Sequence, residues 1–172
     1  MGSGRAGRLV KMKKKIETDP KKTKRLAQKL ESENWDFRVW LKFYAPENID
    51  EIVSALSRKY FSVIDCRNCG NCRRSLSAVS VSRSELRTME SHGSCPHVVD
   101  NDEIKVQLPC PMLDGNLCSI YADRPETCRK YPYLEEPGFV SRLVGVINNT
   151  FVCPIVFNVF EELKSVLNWA RH

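Results

Sequence analysis

Apolar and polar positions follow a helical period at both ends of the chain and lose it in the middle. From Asp19-Pro20, the positions Leu26, Leu30, Trp35, Val39, Trp40, Leu41 and Phe43 predict helix up to Tyr44, where Ala45-Pro46 interrupts it. The spacing is irregular between Glu31 and Asp36, so one bent helix or two short ones fit. Ile49, Ile52, Val53, Leu56 and Tyr60 share one face of a helix over 48–61, with Asn48 or Asp50 as its cap. At the other end, Val156, Val159, Phe160, Leu163, Val166 and Leu167 form a stripe that predicts an amphipathic helix over 154–171, with Glu161 and Glu162 in its front half.

The middle carries shorter signals. Residues 78–81 suit a short extended piece, and Ser82-Arg83-Ser84-Glu85 has the capping-box arrangement that starts a helix over Leu86 and Met89, ended by Gly93. Ile104, Val106 and Leu108 alternate with polar neighbours and predict a strand over 103–108. Asp114-Gly115-Asn116 is turn chemistry, with 117–121 as the partner arm of a small hairpin. Asp123-Arg124-Pro125-Glu126 reads as a helix start capped by Asp123, and 140–147 as a further strand. The expected fold is α+β: a mostly helical small domain with a short β-hairpin, organised around a cysteine-ligated metal site. One domain spans 19–172, as its length suggests. It divides into N-terminal helices (19–62), a cysteine-rich metal-binding region (63–153) and a C-terminal helix (154–172), preceded by a basic, disordered arm (1–18).

Charge changes the picture at one end. Of the 27 Lys and Arg side chains, eleven fall in the first thirty residues against Glu17 and Asp19, so the overall +6 conceals a slightly acidic remainder. Such an arm contacts nucleic-acid phosphates or is simply solvated. No apolar run approaches the roughly 18 residues of a membrane span. Nor does the basic start lead into the roughly 7–15 apolar residues of a secretory signal. A cytoplasmic protein is therefore expected, and in a reducing compartment eight cysteines point to metal rather than to disulfides.

Seven of those cysteines are ordered. Cys66, Cys69 and Cys72 form a triplet with two-residue spacers, followed by Cys110, Cys118, Cys128 and Cys153. Thiolates converging from separate segments hold an iron–sulfur cluster, expected as 4Fe–4S, or Zn²⁺. The triplet spacing and the Cys110-Pro111 and Cys153-Pro154 steps resemble bacterial ferredoxin ligands; Cys66-x-x-Cys69-Gly70 also resembles a zinc knuckle. Cys153 stands at the mouth of the C-terminal helix, where the helix dipole is expected to lower its pKa. Ordering the weakly periodic 66–153 costs about 1–2 kcal/mol per residue in backbone entropy, so metal ligation there would also contribute folding energy.

Several linked motifs carry a family resemblance: the triplet; Cys110-Pro111-Met112-Leu113; Cys118-Ser119-Ile120-Tyr121; Arg124-Pro125-x-x-Cys128-Arg129-x-Tyr131-Pro132; and Cys153-Pro154. Together they resemble the CxxCxxCC cysteine-cluster (YkgJ-like) proteins, zinc- or iron-chelating domains commonly labelled iron–sulfur proteins. The resemblance implies a cysteine-rich metal-binding fold; the converging cysteines and the lack of any other site point to an electron-transfer or accessory redox role, with an unidentified protein partner expected. A flagellin lysine-methylating enzyme has a similar cysteine pattern, so an S-adenosylmethionine-dependent protein-lysine methyltransferase is one alternative, although no glycine-rich cofactor fingerprint is present. A zinc-stabilised nucleic-acid-binding module is another. The family doubles its last triplet cysteine, whereas Arg73 and Arg74 stand here. Cys95, His92 or His97 could restore a ligand. Arg124, Arg129 and Tyr131 either hydrogen-bond sulfurs or an anionic ligand, or fix the Cys128 loop; Asp114 and Asp123 are expected as turn and cap residues.

Overall fold

The computed structural model describes residues 16–171. The irregular spacing near Glu31 resolves into two helices, α1 (Pro20–Lys29) and α2 (Glu31–Tyr44). Asp19 caps α1 by accepting the Lys21 N–H at 2.7 Å, with Pro20 in the first turn, where its missing N–H costs nothing. Next comes α3 (Ile49–Phe61), and the chain ends in α9 (Pro154–Val166). This last helix is the spine of the larger core, touching α1 and α3 and burying Ile155, Val156, Val159, Phe160 and Leu163. Phe37 of α2 meets Phe160 edge-on at a centroid distance of 5.3 Å, a favoured aromatic geometry.

The polar side of α9 is covered as well, which an amphipathic stripe alone does not anticipate. Lys164 is buried, and its Nζ donates to Glu33 Oε1, Asn34 Oδ1 and Glu161 Oε1 at 2.8, 2.7 and 2.6 Å. A buried ammonium persists only with such partners. Ile16 and Glu17, which fall within the stretch expected as an arm, are placed on this core. Ile16 packs on the core, and the Glu17 N–H donates to Asn158 Oδ1 at 3.0 Å while Asn158 Nδ2 donates back to the Glu17 carbonyl at 2.7 Å. Of the eleven basic residues on which the nucleic-acid expectation rests, six precede residue 16 and lie outside the described residues, while Lys21, Lys22, Lys24, Arg25 and Lys29 lie on α1.

A second, smaller core holds the middle of the chain. Strand β3 (Glu103–Gln107) lies between β1 (Ala78–Val81) and β2 (His97–Asp100), antiparallel to both, with Val81 and Val99 opposite Ile104. Helix α6 (Arg83–His92) begins at the expected capping box and packs Leu86 and Met89 beside Ile104 and Val106. The hairpin is smaller than predicted: β4 (Leu113–Asp114) pairs with β5 (Leu117–Cys118) across Gly115-Asn116, and the 103–107 strand is not part of it.

Two expectations fail for stated reasons. Residues 140–147 are helical, as a 3-10 turn (Phe139–Arg142) running into α8 (Leu143–Thr150). Leu143, Val146, Ile147 and Thr150 are the buried positions, a helical and not an alternating set. The Asp50 carboxylate starts the turn by accepting the Gly138 and Phe139 N–H groups at 2.7 and 2.8 Å, and so does not cap α3. Asp123 caps nothing, because α7 (Glu126–Lys130) begins after Pro125, whose ring sets the extended entry. Among the described residues no helix is long and apolar enough to cross a membrane.

Phe160→Ala removes a fully buried ring from the contact between α2 and α9, and is expected to cost about 3–5 kcal/mol. Urea denaturation followed by circular dichroism measures this, and a loss below about 1 kcal/mol would contradict the central place assigned to α9.

Candidate metal centre

The cysteine triplet folds into two single-turn helices, α4 (Cys66–Cys69) and α5 (Cys72–Ser75). Asp65 starts the first by accepting the Arg67 N–H and an Asn68 Nδ2 proton, each at 2.8 Å. Gly70 reverses the chain between them at φ 54°, and a Cβ there would lie 2.8 Å from the Asn116 carbonyl oxygen. Only glycine meets both demands. Asn71 Nδ2 then donates to the Val152 carbonyl at 2.7 Å, which docks the loop against the residue before Cys153. Cys153 itself is the N-cap of α9.

The remaining cysteines arrive from the smaller core. The Cys110 N–H donates to the Arg73 carbonyl at 2.9 Å, and Cys118 lies on β5 opposite Leu113. Thr127 Oγ1 donates to the Ser80 carbonyl at 2.8 Å, holding α7, and with it Cys128, against β1.

As a result Cys66, Cys69, Cys72, Cys110, Cys118, Cys128 and Cys153 all line one cavity of about 360 Å³. All are free thiols. Arg73, Arg124, Arg129 and Tyr131 line it too, and Tyr131 Oη donates to Asn149 Oδ1 at 3.3 Å. Cys95 does not line it: its side chain is buried in the smaller core. His97 is exposed, with its ring nitrogen bonded to the Cys95 carbonyl at 2.9 Å, and His92 is exposed at the end of α6. Among the described residues, no three Cys, His, Asp or Glu side chains meet closely enough to hold a metal ion. The seven thiols line the walls of that one cavity.

Burial governs the electrostatics. It pushes the Cys66 thiol up to about 11, helped by Cys72 and Cys69, and the Cys128 thiol up to about 12, helped by Cys110 and Cys72. Cys72 and Cys110 are raised for the same first reason. Cys153 corrects an expectation: desolvation raises its pKa, and the Val156 and Ile155 N–H groups at the start of α9 only partly oppose it. Arg73 is the cation opposing these shifts at Cys66, Cys72, Cys110 and Cys128. Its Nη2 donates to the Cys66 carbonyl at 3.0 Å, while its Nε is buried without a hydrogen-bond partner. The donor set fits a thiophilic metal group, since buried thiols that are costly to ionise alone gain a counter-charge on ligation.

Sequence reasoning did not single out Asn71 or Tyr121. Asn71 acts through a contact across 81 positions. Tyr121 carries the guanidinium carbons of Arg124 and Arg67 at 3.9 and 5.1 Å from its ring centroid. Of the two, only the Arg124 contact has a local signal, three residues away.

The chain belongs to the CxxCxxCC family, a "putative zinc- or iron-chelating domain", whose family model matches residues 65–151, just over half of its length. It is thus a protein of a metal-chelating class. The stretch spans six of the cavity's seven cysteines and stops just before Cys153. No curated protein and no solved structure matches the chain.

Two outcomes follow from this geometry. Gly70→Ala is expected to loosen residues 66–75 and 113–118 while leaving α3 and α9 protected, which hydrogen exchange resolves; unchanged protection at 66–75 would contradict the close approach. In the metal-free protein, folded thiol values above the ordinary value near 9 favour the neutral form. That stabilisation is complete below about pH 9 and is lost as pH rises through about 11 to 12. The urea midpoint is expected to fall over that window, and to fall less in a Cys66→Ala/Cys128→Ala double variant.

Proposed function

We propose that the protein is an iron–sulfur protein in which Cys66, Cys69, Cys72 and Cys153 hold a 4Fe–4S cluster serving electron transfer or an accessory redox role. The carrying observation is that seven thiols, the ferredoxin-like triplet among them, line one cavity of about 360 Å³. The ferredoxin-like triplet spacing and the Cys153-Pro154 step support the same reading.

Cys153 is the fourth ligand because the Asn71 bond to Val152 brings it to the triplet, close enough for the charges of Cys66 and Cys72 to act on it. A bound cluster supplies one-electron redox chemistry. The chain's own residues then set its conditions: the four thiolates bind, Arg73 offsets negative charge, and Leu108, Met112, Ile120 and Tyr131 limit water. A fixed cation and an apolar wall move a reduction potential in opposite directions, since the first favours the reduced, more negative state and the second disfavours added charge.

Protein purified anaerobically is expected to be coloured and to contain iron and acid-labile sulfide. Serine at Cys66, Cys69, Cys72 or Cys153 should abolish the visible absorption, whereas Cys95→Ser should retain it. Zinc without sulfide, or a colourless, folded, metal-free protein, would overturn the assignment.

A further inference from the structure

Three arginines, Arg73, Arg124 and Arg129, line the cysteine cavity, and no Asp, Glu, Lys or His does. Two more stand beside it. Arg74 Nη1 reaches Asn116 Oδ1 at 2.7 Å, and the Arg67 guanidinium lies over the ring of Tyr121, which is itself a lining residue. None of the five belongs to any ion pair found between described residues.

Neutral backbone acceptors hold four of them in place, and Arg67 rests on the Tyr121 ring. Arg73 donates to the Cys66 carbonyl, Arg74 to the Cys69 carbonyl at 2.9 Å, Arg124 to the Tyr121 carbonyl at 2.7 Å and Arg129 to the Arg124 carbonyl at 2.5 Å. Such bonds fix the guanidinium groups without cancelling their charge. Two carboxylates of this region are already engaged: Glu85, on which the Arg129 charge acts, accepts the Glu126 and Ser82 N–H groups at 2.7 and 2.8 Å, and Asp65 caps α4. The Arg73 Nε–H is a buried donor with no acceptor among the described residues.

A four-thiolate iron–sulfur centre carries only a small net negative charge, because its irons offset most of the sulfur charge. Positive charge therefore remains at the cavity. Guanidinium groups held in fixed orientation beside an aromatic ring match the paired oxygens of carboxylate and phosphate. A volume of about 360 Å³ also lies in the range of small-molecule sites, roughly 300–1,000 Å³.

We propose that the arginine-lined side of this cavity binds the carboxylate or phosphate group of a small anionic molecule next to the metal centre, with Arg124 and Arg67 on Tyr121 as its principal contacts. The position beside the centre rests on the metal-binding reading above; the anion site itself rests on the arginines.

The test titrates inorganic phosphate and, separately, acetate into the protein as purified, by isothermal calorimetry at constant ionic strength against chloride. Saturable binding of either anion is expected, weakened at least tenfold in Arg124→Gln and in Arg67→Gln; the anion that binds identifies the oxyanion class. Arg67 is exposed and makes no hydrogen bond through its side chain among those found, so its variant keeps the test open if Arg124→Gln fails to fold. Iron and sulfide content are measured on the same samples. Absence of saturable binding, or binding unchanged in Arg67→Gln, overturns the anion site whatever the metal content. A metal-free protein that still binds an anion overturns the metal reading instead. Variants that lose iron but keep full anion affinity would mean that these arginines serve the metal centre alone, and would also overturn the anion site.

Discussion

Gathering seven thiols around one cavity, six of them half-buried and Cys153 buried, is the constraint on which the rest of the molecule depends. A buried thiol is inexpensive while protonated and costly once ionised, because a low-dielectric wall cannot replace the hydration of the thiolate. Each neighbouring thiolate adds like-charge repulsion, as at Cys66 and Cys128. The site is therefore stable empty only as neutral thiols, and becomes anionic only when a positive centre takes up the sulfur charge. Metal binding and local stability are coupled by that electrostatic cost.

Two cores meet at the cavity and share the work of shaping it. The larger one, built on α9, supplies a rigid wall: Cys153 heads a helix buried along most of its length, and Cys66 packs against the same core. The smaller one brings Cys110 and Cys118. The cysteine loop ties the cores through specific polar bonds, Asn71 to Val152 on one side and the Cys110 N–H to Arg73 on the other. A centre placed between independently packed bodies can join them when occupied, which gives ligation a structural effect beyond the chemistry it supports.

Arg73 marks how this chain departs from its family's motif. A cysteine there would add an eighth thiol and one more negative charge on ionisation. The guanidinium instead supplies positive charge felt at Cys66, Cys72, Cys110 and Cys128, and its neighbours Arg124 and Arg129 extend that charge along the wall. The cavity is thus thiol-rich and cationic at once, a combination that suits an anionic centre and a further anionic guest.

Local chemistry made much of this legible in the sequence. The capping box at Ser82 and Glu85, the turn at Gly115-Asn116, the helical stripe of α9 and the ordered cysteine spacing are all signals confined to a few neighbouring residues, where steric and hydrogen-bonding preferences act directly. Residues 140–147 misled because their valines favour strand in isolation, while burial of Leu143, Val146 and Ile147 against the larger core selects helix. That Cys153 faces the triplet, that Cys95 does not, and that Arg67 reaches Tyr121 are decided by packing between segments far apart along the chain. The sequence by itself determined the donor chemistry and most local elements. Only the tertiary structure decided which thiols share a cavity, which way burial moves their acidity and what charge surrounds them, because desolvation and Coulomb interactions depend on distances in space that no one-dimensional pattern records.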